Sequence, residues 1–123
     1  EPALIRLLAP HLTILPERTS INANTASVEV LAAAAPNVPS GDIARAVAQR
    51  AGKPFADTAA LQAAIPAGEG QADIGITSKY FLVRGSLRLG SILIDEQALV
   101  ERRGQQTVML WREKGSVFTP EGP

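Results

Sequence analysis

The spacing of apolar residues changes near residue 70, and this change constrains the fold more than any other feature of the chain. Before it, apolar side chains recur at helical spacing and the runs end at prolines, as in SVEVLAAAAP, residues 27–36. After it, in KYFLVRGSLRLG, residues 79–90, apolar and polar residues alternate as in a half-buried strand. Helices followed by strands predict a segregated α+β fold rather than alternating βαβ units.

The glycine-rich stretch AGEGQ, residues 67–71, indicates the boundary between the two regions. We predict a small helical subdomain of the helix-hairpin-helix or SAM-like kind over residues 1–70. An antiparallel three-stranded sheet is predicted over residues 71–115, followed by a disordered tail over residues 116–123. A small sheet with one apolar face needs a cover, so the pattern predicts a covering element that these strands do not supply.

The polar lead-in INANT, residues 21–25, predicts how the main helix of the first region begins. Asn24 or Thr25 is expected to cap a helix that starts near Thr25, because either side chain can accept a hydrogen bond from a free amide of the first turn. Asn22, Asn24 and Thr25 are together expected to form the Asx-type turns and caps that set the entry of this helix.

Four apolar residues of the strand at residues 79–90 share one face by their spacing. They are candidates for contact with a partner or with a missing helix, and an ordinary core face is the alternative that the pattern leaves open. Gly85, in the middle of the strand, indicates a β-bulge. The four candidate contact residues are Phe81, Val83, Leu87 and Leu89.

The residue inventory offers little for catalysis or metal binding. The chain has no cysteine, and its single histidine, His11, lies beside a proline in a connector. The carboxylates of the second half are too scattered to match a metal-binding loop, and the adjacent pair Asp95 and Glu96 points to opposite faces of a strand. We therefore assign no catalytic residue, no metal ligand and no cofactor, and expect no enzyme activity.

Nucleic-acid binding by a helix-hairpin-helix module is the alternative function. Such modules turn through a loop close to Pro-Gly-apolar-Gly, whose backbone amides face a phosphate. Here the loop reads PNVPSG, residues 36–41, in which Pro39 has no amide hydrogen and Asp42 follows at the start of the next helix. The chain also has 12 basic and 12 acidic residues, without the positive excess that backbone binding requires. We predict no nucleic-acid partner.

Four segments resemble the K-type minor pseudopilin family of the type II (general) secretion pathway, in the same order and at matching spacing. The most specific is LPERTSINANTASVEVLAAAAP, residues 15–36. RAGKPF follows at residues 50–55, ITSKYFLVRG at 76–85 and TVMLWR at 107–112. The resemblance covers most of residues 12–112 and implies that the chain is the C-terminal portion of such a protein.

The resemblance implies a structural subunit with a pilin-like sheet. Such a subunit is the periplasmic domain of a bitopic inner-membrane protein, anchored through an N-terminal helix absent from this chain. It is expected to cap the tip of the pseudopilus with the I-type and J-type minor pseudopilins and to support export of folded proteins across the outer membrane. Some members of the family bind calcium, but no calcium ligand is assigned here.

Overall fold

The structure is a computed structural model that describes residues 1–118, with side chains described up to residue 115. The chain divides into two compact units, Glu1–Ser78 and Lys79–Pro123. The first unit contains the helices and the second an antiparallel three-stranded sheet, which confirms the predicted α+β class. The predicted boundary at residue 71 is too early, because the short strand Ile74–Gly75 pairs within the first unit.

The helical unit is built from four short helices and one parallel strand pair. Ile21 pairs with Ile74 and Asn22 with Gly75, which joins the end of the unit to the segment before α2. The elements are α1 (Pro2–Leu8), a 3-10 turn (Ala9–His11), β1 (Ile21–Asn22), α2 (Val28–Ala34), α3 (Ser40–Gly52), α4 (Thr58–Ala64) and β2 (Ile74–Gly75).

Helix α2 begins three residues later than the sequence predicts. Its N-cap is Ser27, whose hydroxyl oxygen accepts a hydrogen bond from the Val30 amide at 3.3 Å. Neither Asn24 nor Thr25 caps the helix, so that prediction is wrong. Asn22 instead accepts a hydrogen bond from the Asn24 amide at 2.9 Å through its side chain, which is an Asx turn that directs the chain toward the helix.

The core of the helical unit lies where α2, α3 and α4 meet, whereas α1 has no buried residue. Its largest fully buried side chains are aliphatic, in keeping with a chain whose aromatic content is only 4%. Burying one such side chain contributes about 1.5–3 kcal/mol, so the unit depends on close packing of many small residues. The core residues are Ala23, Leu31, Ala35, Ile43, Ala46, Phe55, Leu61 and Ile65.

The sheet unit is a meander of three antiparallel strands in the order β3-β4-β5. Its two-residue hairpin loops start at Gly90 and Gly104, which have φ of 59° and 62°. Glycine supplies positive φ at the first central position of such turns. The strands are β3 (Tyr80–Leu89), β4 (Ile92–Arg103) and β5 (Gln106–Phe118).

Two details of the sheet differ from the sequence prediction. Gly85 pairs with Glu96 in unbroken register, so the bulge predicted at Gly85 is wrong; the bulge lies on β5, where Leu110 is the extra residue opposite the Leu99–Val100 step. Strand β5 continues to Phe118, so residues 116–118 belong to the sheet rather than to a disordered tail. The rest of the predicted tail, residues 119–123, lies outside the described residues.

Candidate docking face of the sheet

One face of the sheet carries apolar side chains from all three strands, together with a few charged side chains on β4 and β5. The register places Phe81 beside Val100, Val83 beside Ala98, and Leu87 beside Ile94, and adds Met109 from the third strand. Cross-strand neighbours of this kind share a face. We call this surface the apolar face; it consists of Phe81, Val83, Leu87, Leu89, Ile92, Ile94, Ala98, Val100 and Met109.

The apolar face is exposed. Its four residues on β3, which are the candidate contact residues named from the sequence, are 42% to 59% exposed. Ile92 and Met109 are exposed to a similar degree. Large contiguous apolar surfaces on soluble domains mark interaction sites, so the apolar face is the strongest candidate for a functional surface in the sheet unit.

The apolar face carries a small number of charges, and most of them are positive. Arg112 Nε lies 2.8 Å from Glu96 Oε1, which makes a cross-strand ion pair among the apolar side chains. Lys114 stands directly opposite Glu96 on β5. The Arg102 guanidinium lies over the Phe81 ring, 5.7 Å from its centroid. The face therefore has one carboxylate and three cations.

The opposite face of the sheet, which we call the polar face, carries polar side chains near the middle of its strands. The Ser86 hydroxyl donates to the Asp95 carboxylate, and Gln97 Nε2 donates to Glu113 Oε2 at 2.9 Å. Arg84 shares this face, beside Gln97. The Ser86–Asp95 and Gln97–Glu113 pairs are hydrogen-bonded across the strands, so this surface resembles an ordinary solvated sheet face.

The end of the polar face near β3's first residue contains a buried carboxylate. Glu101 is 6% exposed and lies beside Tyr80, which is also buried. Arg103 Nη2 lies 2.9 Å from Glu101 Oε2, and Lys79 Nζ lies 3.9 Å from Oε1. Burial, followed by the negative charge of Glu101, raises the pKa of the Tyr80 phenol. The two cations compensate the charge of the Glu101 carboxylate, so we interpret the cluster as a stabilising one.

The hairpin between α2 and α3 uses its polar groups internally. Arg45 Nη1 lies 2.9 Å from Asp42 Oδ1, and Arg50 Nη1 donates to the Ala23 carbonyl at 2.6 Å. Asn37 Nδ2 donates to the Glu69 carbonyl at 2.6 Å. Both arginines of α3 thus have partners within the unit, which disfavours the phosphate-binding alternative for this loop.

His11 and the carboxylates do not form a metal site in the part of the chain that the structure describes. His11 Nδ1 lies 3.3 Å from Ser27 Oγ, on the side chain that caps α2. Within residues 1–118, no three histidine or carboxylate side chains are grouped as metal ligands. The same residues contain no helix long and apolar enough to cross a membrane.

Sequence reasoning named only the β3 part of the apolar face. Arg112 and Met109 were missed because the bulge at Leu110 changes which β5 residues share a face: Met109 lies on the apolar face, whereas Trp111 lies on the opposite one. Simple alternation would place both on the same side. No signal in TVMLWRE, residues 107–113, reveals the bulge, because the segment contains no glycine.

Comparison with known proteins identifies one family. The family model described as type II secretion system (T2SS), protein K, matches residues 21–84, slightly more than half of the 123-residue chain. The matched segment runs from β1 through all of α2, α3 and α4 into the first half of β3. Neither the curated proteins nor the solved structures include a match.

Proposed function

The chain belongs to the type II secretion system protein K family, and from this premise we propose that it is a minor pseudopilin that caps the tip of the pseudopilus. The observation that supports the proposal beyond the family is the apolar face. A pilin-like sheet needs a helix across one side, and this sheet has one side with an exposed apolar surface. Its role in this proposal is assembly, without turnover of a substrate.

The helical unit suits the role of a cap. It has its own buried core, and the segments before α2 and after α4 are joined by the β1–β2 pair. A unit that is closed in this way keeps its shape when a partner is absent. Such a bulky body does not fit inside a thin helical fibre, so a subunit that carries it is restricted to the end.

The sheet unit then supplies the contact with the rest of the assembly. We propose that an apolar N-terminal helix of the same subunit packs across the apolar face, and that the I-type and J-type minor pseudopilins contact the surrounding surfaces. Each large side chain buried there contributes about 1.5–3 kcal/mol. The cargo would be folded proteins that cross the outer membrane, and the domain would work in the periplasm of a protein anchored in the inner membrane.

Co-purification with the soluble domains of the I-type and J-type subunits tests the proposal. A full-length subunit that contains this chain should co-elute with both, and it should restore secretion in a strain from which the K-type subunit has been deleted. Leu87→Lys, on the apolar face, should reduce secretion in that assay. Leu82→Lys is the matched control, because Leu82 is similarly exposed on the same strand but lies on the opposite face.

Two results would contradict the proposal. One is failure of the full-length subunit to co-elute with either partner under conditions in which the I-type and J-type domains bind each other. The other is full secretion in a deletion strain that makes no K-type subunit at all.

A further inference from the structure

The charges of the apolar face are unequally distributed. Glu96 is already paired with Arg112 through the guanidinium Nε. This contact uses the nitrogen nearest the main chain, so the two terminal nitrogens remain available to face an incoming group. Lys114 lies on the same face beside this pair. The β5 side of the apolar face is therefore positive in the row of Glu96. Strand β3 itself contributes no charged residue to this face, and the third cation, Arg102, lies at the end of the sheet over the Phe81 ring.

From this asymmetry we propose that the helix that covers the apolar face carries one acidic residue within its apolar stripe, and that this carboxylate lies against Arg112 and Lys114. The inference rests on the proposed function, in which a helix crosses this face. It adds the charge that this helix must carry to bind there. The two cations would act as specificity-determining residues for that helix.

The sign of the charge follows from the cost of desolvation. A covering helix removes water from the Glu96–Arg112 pair and from Lys114, whose charges must then be compensated by neighbours. The Arg112 side chain is 56% exposed and that of Glu96 is 37% exposed, so both have hydration to lose. A covering helix with an uncharged stripe would leave the charge of Lys114 uncompensated, and a basic residue in that stripe would be repelled by Lys114 and Arg112. An acidic residue compensates Lys114 and also receives hydrogen bonds from Arg112.

The shape of the face next to this pair also favours a helix. Gly85 stands opposite Glu96 on β3, and a Cβ atom added at Gly85 would have no heavy atom within 4 Å. At the level of Glu96, the surface of the sheet therefore has a shallow depression on β3, where Gly85 carries no side chain. A large apolar side chain from the helix fits above Gly85 while the neighbouring turn of the helix carries the carboxylate toward β5.

Binding of three synthetic helical peptides to the 123-residue chain tests the inference. Each peptide has about 18 residues, long enough for measurable helicity, and an identical leucine and alanine stripe. The central stripe position is glutamate, alanine or lysine. Fluorescence anisotropy of labelled peptide gives the affinity, and backbone amide shifts identify the strand residues that are contacted.

The glutamate peptide should bind about tenfold more tightly than the lysine peptide, with the alanine peptide between them. The preference should weaken as salt is added. Lys114→Gln should reduce it, and Arg112→Gln should reduce it further because it also leaves Glu96 without its partner. Arg84→Gln is the matched control, since it removes a cation from the polar face, and it should leave the preference unchanged.

Equal affinity of the glutamate and lysine peptides would overturn the inference, and so would a glutamate preference that survives in the Arg112→Gln and Lys114→Gln variants. Absence of binding by all three peptides would overturn it as well. These outcomes are separable from failure of the proposed function, because co-elution with the I-type and J-type subunits and complementation of secretion do not depend on the charge of a peptide.

Discussion

The side-chain amide of Asn24 makes both backbone hydrogen bonds of Phe55. Its Oδ1 accepts from the Phe55 amide at 2.8 Å, and its Nδ2 donates to the Phe55 carbonyl at 3.1 Å. Nδ2 also donates to the Ile76 carbonyl at 3.1 Å. One side chain thus joins the segment before α2, the segment between α3 and α4, and the segment after β2. A helix N-cap would bind only the first turn of its own helix.

Replacing this amide should destabilise the helical unit. Asn24→Ala leaves the Phe55 and Ile76 backbone groups without their partner, and the free energy of unfolding should fall by about 2–3 kcal/mol. Urea unfolding followed by far-UV circular dichroism, which reports the helices, measures the change. Thr25→Ala is the control, because Thr25 is exposed and its side chain does not cap α2. A loss under about 0.5 kcal/mol for Asn24→Ala would contradict the assignment.

Glu29 should make the stability of the helical unit depend on pH. Its pKa is lowered from the usual 4.5, mainly because its own backbone amide donates to the carboxylate, with a further contribution from the Ser27 hydroxyl. A lowered pKa in the folded state stabilises the protein above the unfolded-state pKa, and this contribution is lost as the pH falls through the folded-state value. Below about pH 4.5 the wild type should therefore lose stability more steeply than Glu29→Gln.

Urea unfolding of the two proteins across pH 6 to about 3 measures this difference, and other carboxylates cancel in the comparison. Glu69→Gln serves as the control, because its side chain lies in the exposed linker before β2. Identical pH profiles for the wild type and Glu29→Gln would show that the carboxylate has no favourable contact in the folded state.

Tyr80 is the single tyrosine of the chain, so its ionisation can be observed directly. Burial and the neighbouring Glu101 raise the pKa of its phenol above the usual 10.0. Absorbance at the phenolate band should therefore rise at higher pH in the folded protein than in urea. Glu101→Gln removes the negative charge and should lower the pKa of Tyr80, although burial should keep it above that of the unfolded chain.

The control for this titration is Glu113→Gln, a carboxylate of the same sheet face that is not a cause of the Tyr80 shift. A raised Tyr80 pKa that is unaffected by Glu101→Gln would leave burial as its only cause. An unraised pKa would show that the tyrosine is exposed.

The apolar face should tolerate charge without loss of folding. Leu87→Lys places the ammonium group in solvent, so the free energy of unfolding should change by less than about 0.5 kcal/mol. Leu31→Ala, in the buried core of the helical unit, should cost about 2–5 kcal/mol. Trp111, the single tryptophan, reports on the sheet by fluorescence, and circular dichroism reports on the helices. Unfolding of the sheet by Leu87→Lys would mean that the apolar face is already covered.

The helices and the three long strands could be predicted because their signals are local. Prolines at positions 36 and 66 end helical runs, Asp57 caps α4 through its side chain, and the alternation after Lys79 produces β3. The four candidate residues of β3 share one face because strand alternation has a period of two. The predicted start of α2 is too early because Asn and Ser are equally good N-cap residues by type. Only the structure shows that the Asn24 side chain binds the Phe55 backbone and that Ser27 is the N-cap.

The sequence by itself determined the order of helices before strands, the aliphatic core, the family and the β3 part of the apolar face, because each of these depends on residue type and near spacing. Only the tertiary structure decided that Ile74–Gly75 closes the helical unit and that the bulge at Leu110 brings Arg112 to the apolar face beside Glu96. The physical reason is that strand register is chosen by pairing between distant segments, and one extra residue reverses the face of every side chain beyond it.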